Sequence, residues 1–441
     1  MVNYKYNWQE DWYKTKDAVL TNLSCKLPDL EELTTISVLN QLPIIDRRVA
    51  YSFKSNEEAR ASFAGEIMHD TYRRFANSTV KELENIITLL EGRHFFEDIA
   101  VPDLIDILRK SPLQTSAFGS GMAAISHTLM ALLNSGDTMI TDKVLYGCTD
   151  GFNNSDLGLK GISAVEVDAS DLKNVKNTFK ANPHAKLIYF ETPANPTLAV
   201  RDIEGISRIA RDYNALVIVD NTFATPYLQN PLKLGADIVV HSLTKYINGH
   251  GDCMGGSATG PSQFISCPGI GGLLRSRGNF GGVLSPDEAY NIQRGIQTIS
   301  ERMERHCDNA EQVVDYLSKL KDSVKEVYYP GSQKNKAIAN KQMHRYGAMV
   351  SFELVGDMEN ASRFIDAVAH SQVGYNKVSL GMPQTGFTHP AGTTHLAIDQ
   401  QKRLDKGITP NLIRMSVGRE PIRRIIETLE ASLWSAMNEY A

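Results

Sequence analysis

The sequence predicts an α/β protein, in which a mostly parallel sheet has helices on both faces and a smaller α+β domain follows at the C-terminal end. Two observations lead to this prediction. In the middle of the chain, short apolar runs rich in β-branched residues alternate with helical segments, as is typical of buried parallel strands. Beyond residue 300 a long helical segment is followed by separate strand-like runs, which favours a second unit.

Three regions follow from this pattern, with the bounds 1–95, 96–300 and 301–441. The first is a polar extension and helical arm, the second a large domain and the third the α+β domain. The predicted helices are Glu57–Phe75, Val80–Leu90, Ile203–Tyr213 and Ser300–Leu320. The predicted strands are Lys186–Phe190, Leu216–Val219, Asp237–Val240, Ala348–Leu354 and Leu412–Val417.

Composition excludes several classes of partner. The chain has 441 residues and a formal net charge of -5 without a long run of one sign, so no nucleic-acid partner is expected. No stretch approaches the roughly 20 apolar residues that span a bilayer, so no membrane partner is expected either. Met1–Lys16 lacks an apolar signal core, and the 5 cysteines are scattered without CxxC spacing. These features predict a cytoplasmic protein without a bound metal or a disulfide framework.

The strongest chemical signal is the segment His241–Lys245, which directly follows a predicted strand. Most lysines are solvated surface residues, but Lys245 comes after a buried strand and two hydroxyl residues, Ser242 and Thr244. A desolvated lysine has a lowered pKa and can form a Schiff base with an aldehyde. The two hydroxyl groups suit a phosphate.

Two further features complete a predicted pyridoxal phosphate site. Asp220 ends another predicted strand. Such a residue often only caps a turn, but beside a pyridine ring it would keep the ring nitrogen protonated, so that the ring accepts electrons from a substrate carbanion. Gly119–Met122 opens a helical run, and small residues there let backbone N–H groups approach a phosphate.

Six segments of the chain match one known family as a set. They are Tyr146–Thr149, Glu191–Pro196, Val219–Pro226, His241–Lys245, Arg302–Ala310 and Arg414–Gly418. Together they resemble the Cys/Met metabolism (transsulfuration) family of pyridoxal-phosphate-dependent enzymes, over roughly residues 65–440. The resemblance implies a type I aminotransferase-like fold and a homotetramer built from close dimers. Within the family, the pattern is most similar to the methionine γ-lyase and cystathionine γ-synthase types.

The resemblance also implies roles for the cofactor-binding residues. Lys245 resembles the Schiff-base lysine, and Asp220 the partner of the ring nitrogen. Tyr146 resembles the tyrosine that stacks on the ring and acts as acid or base, and Asn195 the asparagine near the ring's phenolic oxygen. The residues that match the phosphate cup are Gly121, Met122, Ser242 and Thr244.

Residues outside this set are implied to bind the substrate or the neighbouring subunit. Arg414 matches the arginine that binds the substrate's α-carboxylate, with assistance from Ser379 and Asn195. Tyr72 and Arg74 resemble a pair that reaches the cofactor phosphate of a neighbouring subunit, where an arginine donates two parallel hydrogen bonds. The chain departs from the family pattern at Ser78, which replaces a proline, in an extra segment over roughly residues 94–115, and in its longer N-terminus.

These residues predict a γ-lyase that eliminates the γ-substituent of methionine, homocysteine or an analogue to give a 2-oxo acid and ammonia. The alternative is a γ-replacement enzyme of the cystathionine γ-synthase or O-acylhomoserine sulfhydrylase type. Methionine γ-lyases have a cysteine at the position that matches Cys148. An equally good interpretation is that Cys148 is a small residue that only fills space in the core. Val378 leaves the distal ammonium of cystathionine without a partner, whereas Tyr246–Gly249 is more similar to the cystathionine enzymes.

Asp150 allows two interpretations. Near Tyr146, its carboxylate could receive a cationic substrate group, such as the guanidinium-like end of canavanine. More often an aspartate in such a position only caps the following helix.

Two other functional classes fit the sequence less well. A catalytically silent pyridoxal-binding protein would not need Lys245, Asp220, Tyr146 and Arg414 together. A dinucleotide-dependent enzyme would need a glycine-rich loop after a strand. Gly269–Gly282 is glycine-rich without a strong preceding strand and is interpreted as a mobile loop.

Overall fold

The computed structural model of the protein describes residues 43–95, 111–265 and 272–438, apart from residues 65, 68, 333, 334, 372 and 397. The chain before residue 43 and most of the predicted extra segment lie outside the described residues. Two sheets organise the described part. One has seven strands in the order β1-β7-β6-β5-β4-β2-β3, and the other has five in the order β10-β11-β12-β9-β8.

The seven-stranded sheet is mostly parallel, as predicted. Its strands are β1 Leu113–Phe118, β2 Thr138–Asp142, β3 Ser163–Val167, β4 Leu187–Glu191, β5 Leu216–Asp220, β6 Ile238–Ser242 and β7 Gly256–Pro261. Each neighbouring pair from β3 to β6 is parallel, whereas β7 runs antiparallel to both β6 and β1.

The following helices belong to the same part of the chain as this sheet. They are α1 Asn56–Phe63, α2 Ser78–Gly92, α3 Gly121–Leu132, α4 Gly147–Gly151, α5 Leu172–Ala181, α6 Ile203–Arg211, α7 Thr225–Leu228, α8 Ser262–Ile265, α9 Leu273–Phe280 and α10 Pro286–Ile296. Short turns follow two of these helices, a 3₁₀ turn at Arg93–Phe95 after α2 and a π-helical turn at Phe152–Asp156 that continues α4 into Leu157–Leu159.

Both faces of the sheet are buried, as β6 illustrates. Val240 packs in one apolar cluster with Leu129 of α3, and Val239 packs in another with Leu83 of α2. Because successive side chains of a strand point to opposite faces, β6 lies between two helical layers. This arrangement explains why its first three residues, Ile238–Val240, are all apolar.

The C-terminal unit begins with the long helix α11 Ile299–Leu317. Its strands are β8 Val324–Tyr328, β9 Met349–Leu354, β10 Tyr375–Asn376, β11 Gly386–Thr388 and β12 Leu412–Ser416. Its further helices are α12 Lys336–Gln342, α13 Met358–Ala369, α14 Gln400–Asp405 and α15 Ile422–Met437, with a 3₁₀ turn at Pro390–Gly392. Phe352, Phe364 and Leu429 share one core there, so the helices pack on the sheet as an α+β layer.

The predicted strands and the helices Val80–Leu90, Ile203–Tyr213 and Ser300–Leu320 are confirmed, with small differences at their ends. The predicted helix Glu57–Phe75 is wrong in its second half, because α1 ends at Phe63. Further along, Tyr72 forms an isolated β-bridge with Ala50, where Tyr51 N donates to Thr71 O and Arg73 N donates to Val49 O. The three regional bounds remain a prediction.

The glycine-rich segment Gly269–Gly282 is not a loop in its described part, where α9 spans Leu273–Phe280. Arg277 holds this helix. It donates to Glu84 Oε1 at 2.6 Å and to the carbonyl oxygens of Ala117 and Phe75 at 2.8 Å each. Glycines there allow close packing, since a Cβ on Gly278 would lie 2.3 Å from the Phe75 ring.

Within the described ranges, no helix is both long and apolar enough to cross a bilayer.

The topology brings polar residues to one edge of the larger sheet. Glu191, at the end of β4, faces Asp220 at the end of β5, and Asp220 faces Val240 of β6. In parallel sheets of this kind, binding sites form at the carboxyl ends of the strands. The segments that follow β4, β5 and β6 therefore meet at this edge.

Candidate active site

A cavity of about 230 Å³ lies at this edge. The predicted site residues among its lining are Gly121, Met122, Tyr146, Asn195, Asp220, Ser242, Thr244, Lys245, Val378 and Arg414. Further lining residues include Ser120, Glu191, Thr222, Phe223, Met254 and Leu380. The structure thus brings together most of the residues that the sequence analysis selected.

Lys245 lies in the turn that follows β6. Its Nζ donates to Ser379 Oγ at 3.0 Å, so Ser379 contacts the amine. Burial, and secondly the charge of Arg414, lower the pKa of Lys245 to about 8. At pH 7 roughly a tenth of the amine is therefore neutral, far more than in an ordinary lysine, and the neutral amine is the form that attacks an aldehyde.

Asp220 is a partly buried carboxylate with neutral partners. Its Oδ1 accepts from Thr222 N at 2.9 Å, and its Oδ2 accepts from Tyr189 Oη at 3.3 Å. Burial raises its pKa, and no ion pair among the described residues compensates its charge. A protonated ring nitrogen is a group that would do so.

The opening turn of α3 forms the opposite wall of the cavity. Ser120 caps this helix, and its Oγ accepts from Ala123 N at 3.0 Å. The N–H groups of Gly121 and Met122 have no partner inside the helix, because they belong to its first turn. A Cβ on Gly121 would lie 2.7 Å from Ser242 Cβ, so the glycine allows the hydroxyl of Ser242 to approach these donors. Such a turn is suited to a phosphate.

Glu191 connects two predicted site residues and was not selected from the sequence. Its Oε1 accepts from Tyr146 N at 2.7 Å, and its Oε2 accepts from Asn195 N at 3.3 Å. Burial and the neighbouring Asp220 raise its pKa well above the ordinary range. The signal was present, since Glu191 ends a buried strand as Asp220 does.

Tyr146 is partly open to the cavity, with 38% of its surface exposed. Burial of the rest, and then the hydrogen bond with Cys148, raise the pKa of its phenol to about 12. The phenol therefore stays protonated and can act as a proton donor. Cys148 Sγ lies 3.4 Å from Tyr146 Oη, so the exposed Cys148 borders the site.

Arg414, on β12, places a buried guanidinium in the cavity. It donates to Asn195 Oδ1 at 3.0 Å, and to Val378 O and Thr388 Oγ1 at 3.2 Å each. Burial lowers its pKa to about 10. No carboxylate within the described chain pairs with it, so it has the capacity to bind one from a ligand.

Asp150 is not brought to the cavity, and the expectation that it receives a cationic substrate is corrected. Its side chain is 11% exposed, and its Oδ1 accepts from Lys406 Nζ at 2.9 Å. This partner was not predictable from the sequence, because Lys406 belongs to the distant C-terminal unit.

Tyr72 and Arg74 lie outside this cavity. The Arg74 guanidinium is 5.2 Å from the ring centroids of both Tyr72 and Phe75, and it donates to the carbonyl oxygen of Gly278. Their predicted role at a neighbouring subunit's cofactor stays a prediction.

The residues of the cavity fit pyridoxal phosphate. Lys245 offers an amine for the aldehyde, Asp220 an uncompensated carboxylate for the ring nitrogen, and the first turn of α3 offers donors for the phosphate. This fold and site define an enzyme that uses pyridoxal phosphate on an amino-acid substrate. A family model described as "Cys/Met metabolism PLP-dependent enzyme" matches residues 99–434. The chain belongs to this family.

Known proteins agree with this membership. The chain is 43% identical over 386 residues to an L-methionine gamma-lyase of Fusobacterium nucleatum subsp. nucleatum, covering 87% of this chain and 91% of that protein. It is 39% identical over 364 residues to a cystathionine beta-lyase of Lactococcus lactis subsp. cremoris, covering 82% and 88%. The cystathionine gamma synthase structure from Xanthomonas oryzae pv. oryzae, with aminoacrylate and cysteine, matches with a TM-score of 0.80 at 28% identity, covering 93% and 99%.

These comparisons confirm four predictions: the family, the type I aminotransferase-like fold, the pyridoxal phosphate cofactor and the class of carbon–sulfur lyase. The family also implies an amino-acid substrate, as predicted.

Proposed function

We propose that the protein is a γ-lyase that eliminates an uncharged sulfur substituent from methionine, homocysteine or a close analogue. The observation that carries this proposal is the division of the cavity into two kinds of surface. Arg414 supplies a carboxylate-binding cation beside Lys245, whereas Phe223, Met254 and Leu380 supply apolar surface. Relatives named L-methionine gamma-lyase support the same reaction.

Different residues of this chain carry out the separate steps of such an elimination. When bound, pyridoxal phosphate supplies an aldehyde that captures the substrate's amino nitrogen and a ring that withdraws electrons from its carbons. Arg414 holds the α-carboxylate through two N–H groups. Lys245 Nζ takes the α-proton, and Asp220 keeps a positive charge on the ring nitrogen.

Tyr146 supplies the proton for the departing γ-substituent. Its phenol keeps the proton at neutral pH, because burial raises its pKa to about 12. Glu191 holds the backbone of Tyr146 through Oε1, which limits how far the phenol moves between turnovers. A second proton leaves the β-carbon before the γ-substituent departs, and one water is consumed. Methionine then gives a thiol and homocysteine gives hydrogen sulfide, and each also gives a 2-oxo acid and ammonia.

A γ-replacement enzyme is the second candidate, and it is favoured by the structural match to cystathionine gamma synthase. One residue opposes a substrate with a distal ammonium. Val378 lines the cavity and is 64% exposed, so its position at the opening offers no anionic partner to such a group.

A substrate panel separates the two candidates. Release of 2-oxobutyrate is measured from methionine, homocysteine, cystathionine, O-acetylhomoserine, O-succinylhomoserine and canavanine, each with and without added thiol. A γ-lyase releases the keto acid without thiol, fastest from methionine or homocysteine, and Lys245→Ala removes the release. Slow release, with added thiol diverting the acylhomoserines into thioethers, would establish replacement instead.

We also propose that the active enzyme is a homo-oligomer, a tetramer of close dimers, in which residues 43–76, the arm, dock on a second copy. Helix α1 of the arm has no buried residue, and Ile44 and Phe63 are 89% and 74% exposed. Apolar side chains at such exposure favour burial against a partner. In this arrangement Tyr72 and Arg74 serve the neighbouring site.

The cytoplasm is the proposed location. The cysteines among the described residues, Cys148, Cys253 and Cys307, are free thiols, which suits a reducing compartment. Fractionation of the source cells tests this, and recovery of the enzyme outside the cytoplasmic fraction would contradict it.

A further inference from the structure

Lys406, at the C-terminal end of α14, is a buried cation outside the cavity, with a side chain that is 8% exposed. Its Nζ donates to the carbonyl oxygen of Lys143 at 2.6 Å, to Asp150 Oδ1 at 2.9 Å and to Glu166 Oε1 at 3.3 Å. All three acceptors belong to the unit of the larger sheet. A buried charge between two packed units requires an opposite charge nearby. Of the two carboxylates that pair with Lys406, Asp150 is the more buried.

Asp150 is one helical turn from Tyr146. Its backbone N–H donates to Tyr146 O at 2.9 Å, so the two residues belong to the same hydrogen-bonded turn of α4. The C-terminal unit also contacts the start of this helix, because a Cβ on Gly147 would lie 2.6 Å from Thr394 O. Helix α4 is therefore held by the C-terminal unit at Gly147 and at Asp150.

On the side of the C-terminal unit, Lys406 is close in the chain to the strand that carries Arg414. Ile408 and Leu412, which follow Lys406, pack with Ala391 in a small core, and Leu412 begins β12. Arg414 lies two residues further along that strand. The bond between Lys406 and Asp150 therefore connects the strand of the carboxylate-binding arginine with the helix that begins after Tyr146.

We propose that Asp150 and Lys406 are a positioning pair, which sets the place of Tyr146 relative to Arg414. The pair acts through the backbone of α4, and neither side chain lines the cavity. Its proposed effect on turnover rests on the proposed role of Tyr146 as the proton donor. Loss of one partner leaves the other charge buried, whereas loss of both removes that penalty. A rescue by the double variant is therefore expected.

The test compares Lys406→Met, Asp150→Asn and the double variant as holoenzymes. The primary readout is the visible circular dichroism of the bound cofactor, which reports how the ring and Tyr146 are arranged and needs no turnover. Lys406→Met is expected to change this signal and to lower kcat by about tenfold, on the order of the coupling between contacting residues, with KM nearly unchanged. The double variant recovers most of the loss. Should Lys406→Met fail to fold, Asp150→Asn shows a smaller change in the same direction, because it keeps the shape of the side chain.

Lys319→Met is the matched control, since Lys319, just beyond the end of α11, pairs with Asp315 of that helix at 2.6 Å, and both side chains are 69% exposed. It leaves the dichroism and kcat unchanged. The positioning role would be overturned if the three variants unfolded at a lower temperature but kept the visible dichroism of the wild type. If the wild type releases no 2-oxo acid from any substrate, the proposed function fails. The dichroism still decides the positioning pair, because a change supports it and an unchanged signal contradicts it.

Discussion

Individual charges in this protein are set by their neighbours rather than by residue type. Glu191 and Asp220 lie side by side at the ends of β4 and β5, and burial raises the pKa of both. Burial lowers the pKa of Lys245 and Arg414 in the same cavity. The site therefore contains carboxylates and cations that are not paired with each other, and each has the capacity to hold a different part of the cofactor–substrate complex.

Capture of the cofactor by the apoprotein should depend on pH through Lys245. The attacking amine must be neutral, and its pKa of about 8 means that the neutral fraction rises with pH through that value. The rate of appearance of the visible cofactor band, measured by stopped flow, should rise over the same range. Arg414→Leu should move the midpoint upward, because Arg414 lowers this pKa. Arg423→Leu, at a side chain that is 87% exposed, should leave the midpoint unchanged, and a rate independent of pH would contradict the prediction.

Glu191→Gln should lower kcat/KM by about 10- to 100-fold. The amide nitrogen cannot accept a hydrogen bond, so either Tyr146 N or Asn195 N loses its partner. A buried donor that loses its hydrogen-bond partner costs about 1–3 kcal/mol. Initial rates with saturating cofactor measure the effect. Glu57→Gln, where the side chain is 77% exposed, is the control, and equal rates in the two variants would show that Glu191 does not position these residues.

Short elements in this protein depend on what they touch. Helix α4 has only five residues before it passes into the π-helical turn, and so short a helix depends on tertiary contacts for its stability. The C-terminal unit contacts it at Gly147 and Asp150. The longer α3, by contrast, has its own N-cap and an apolar face in the core.

Two glycines of α4 provide a matched pair of variants. Gly147→Ala would place a Cβ 2.6 Å from Thr394 O, whereas Gly151→Ala meets nothing within 4 Å. The first should displace Tyr146 and lower kcat/KM by at least about tenfold, equivalent to 1.4 kcal/mol. The second should keep wild-type activity and stabilise the helix by about 0.5–1 kcal/mol. Kinetics and thermal denaturation of both variants check this, and similar kinetics for the two would contradict the steric argument.

On the scale of the whole molecule, the two units share the active site. The larger sheet supplies Asp220, Lys245 and the first turn of α3, and the C-terminal unit supplies Arg414 and Ser379. In the proposed oligomer, the arm adds residues of one copy to the active site of another. A substitution that weakens the assembly should therefore also weaken the retention of cofactor.

Phe63→Asp should weaken the association of subunits and, with it, the retention of cofactor. A charge in place of an apolar side chain that is 74% exposed costs little in a monomer but opposes burial in an interface. Sedimentation velocity and the visible absorbance of the sedimenting species measure both effects. Leu159→Asp, at an apolar residue that is 88% exposed, is the control outside the arm. An unchanged assembly would contradict docking through α1.

The five named strands, three of the four named helices and the polar residues at the strand ends were predictable from the sequence. The roles of Lys245, Asp220 and the first turn of α3 in holding the cofactor stay predictions. The predictable elements depend on patterns that are local in the chain, such as an apolar run that ends in a polar residue. Glu191 carries the same local pattern, but its role depends on two N–H groups that the fold brings to it. The end of α1 was mispredicted because its polar sequence has no buried face to mark where the helix stops.

The sequence alone thus determined the fold class, because strand periodicity is encoded locally, and the family, because its motifs resemble those of known members. It also predicted the residues of the cofactor site. Tertiary structure decided the partners of the buried charges. Asp150 pairs with Lys406 rather than with a substrate cation, and Arg414 has no carboxylate partner in the part of the chain that the structure describes. These outcomes depend on which distant segments meet in a region of low dielectric constant, where the free energy of a charge is decided by the groups around it. No pattern along the chain contains that information.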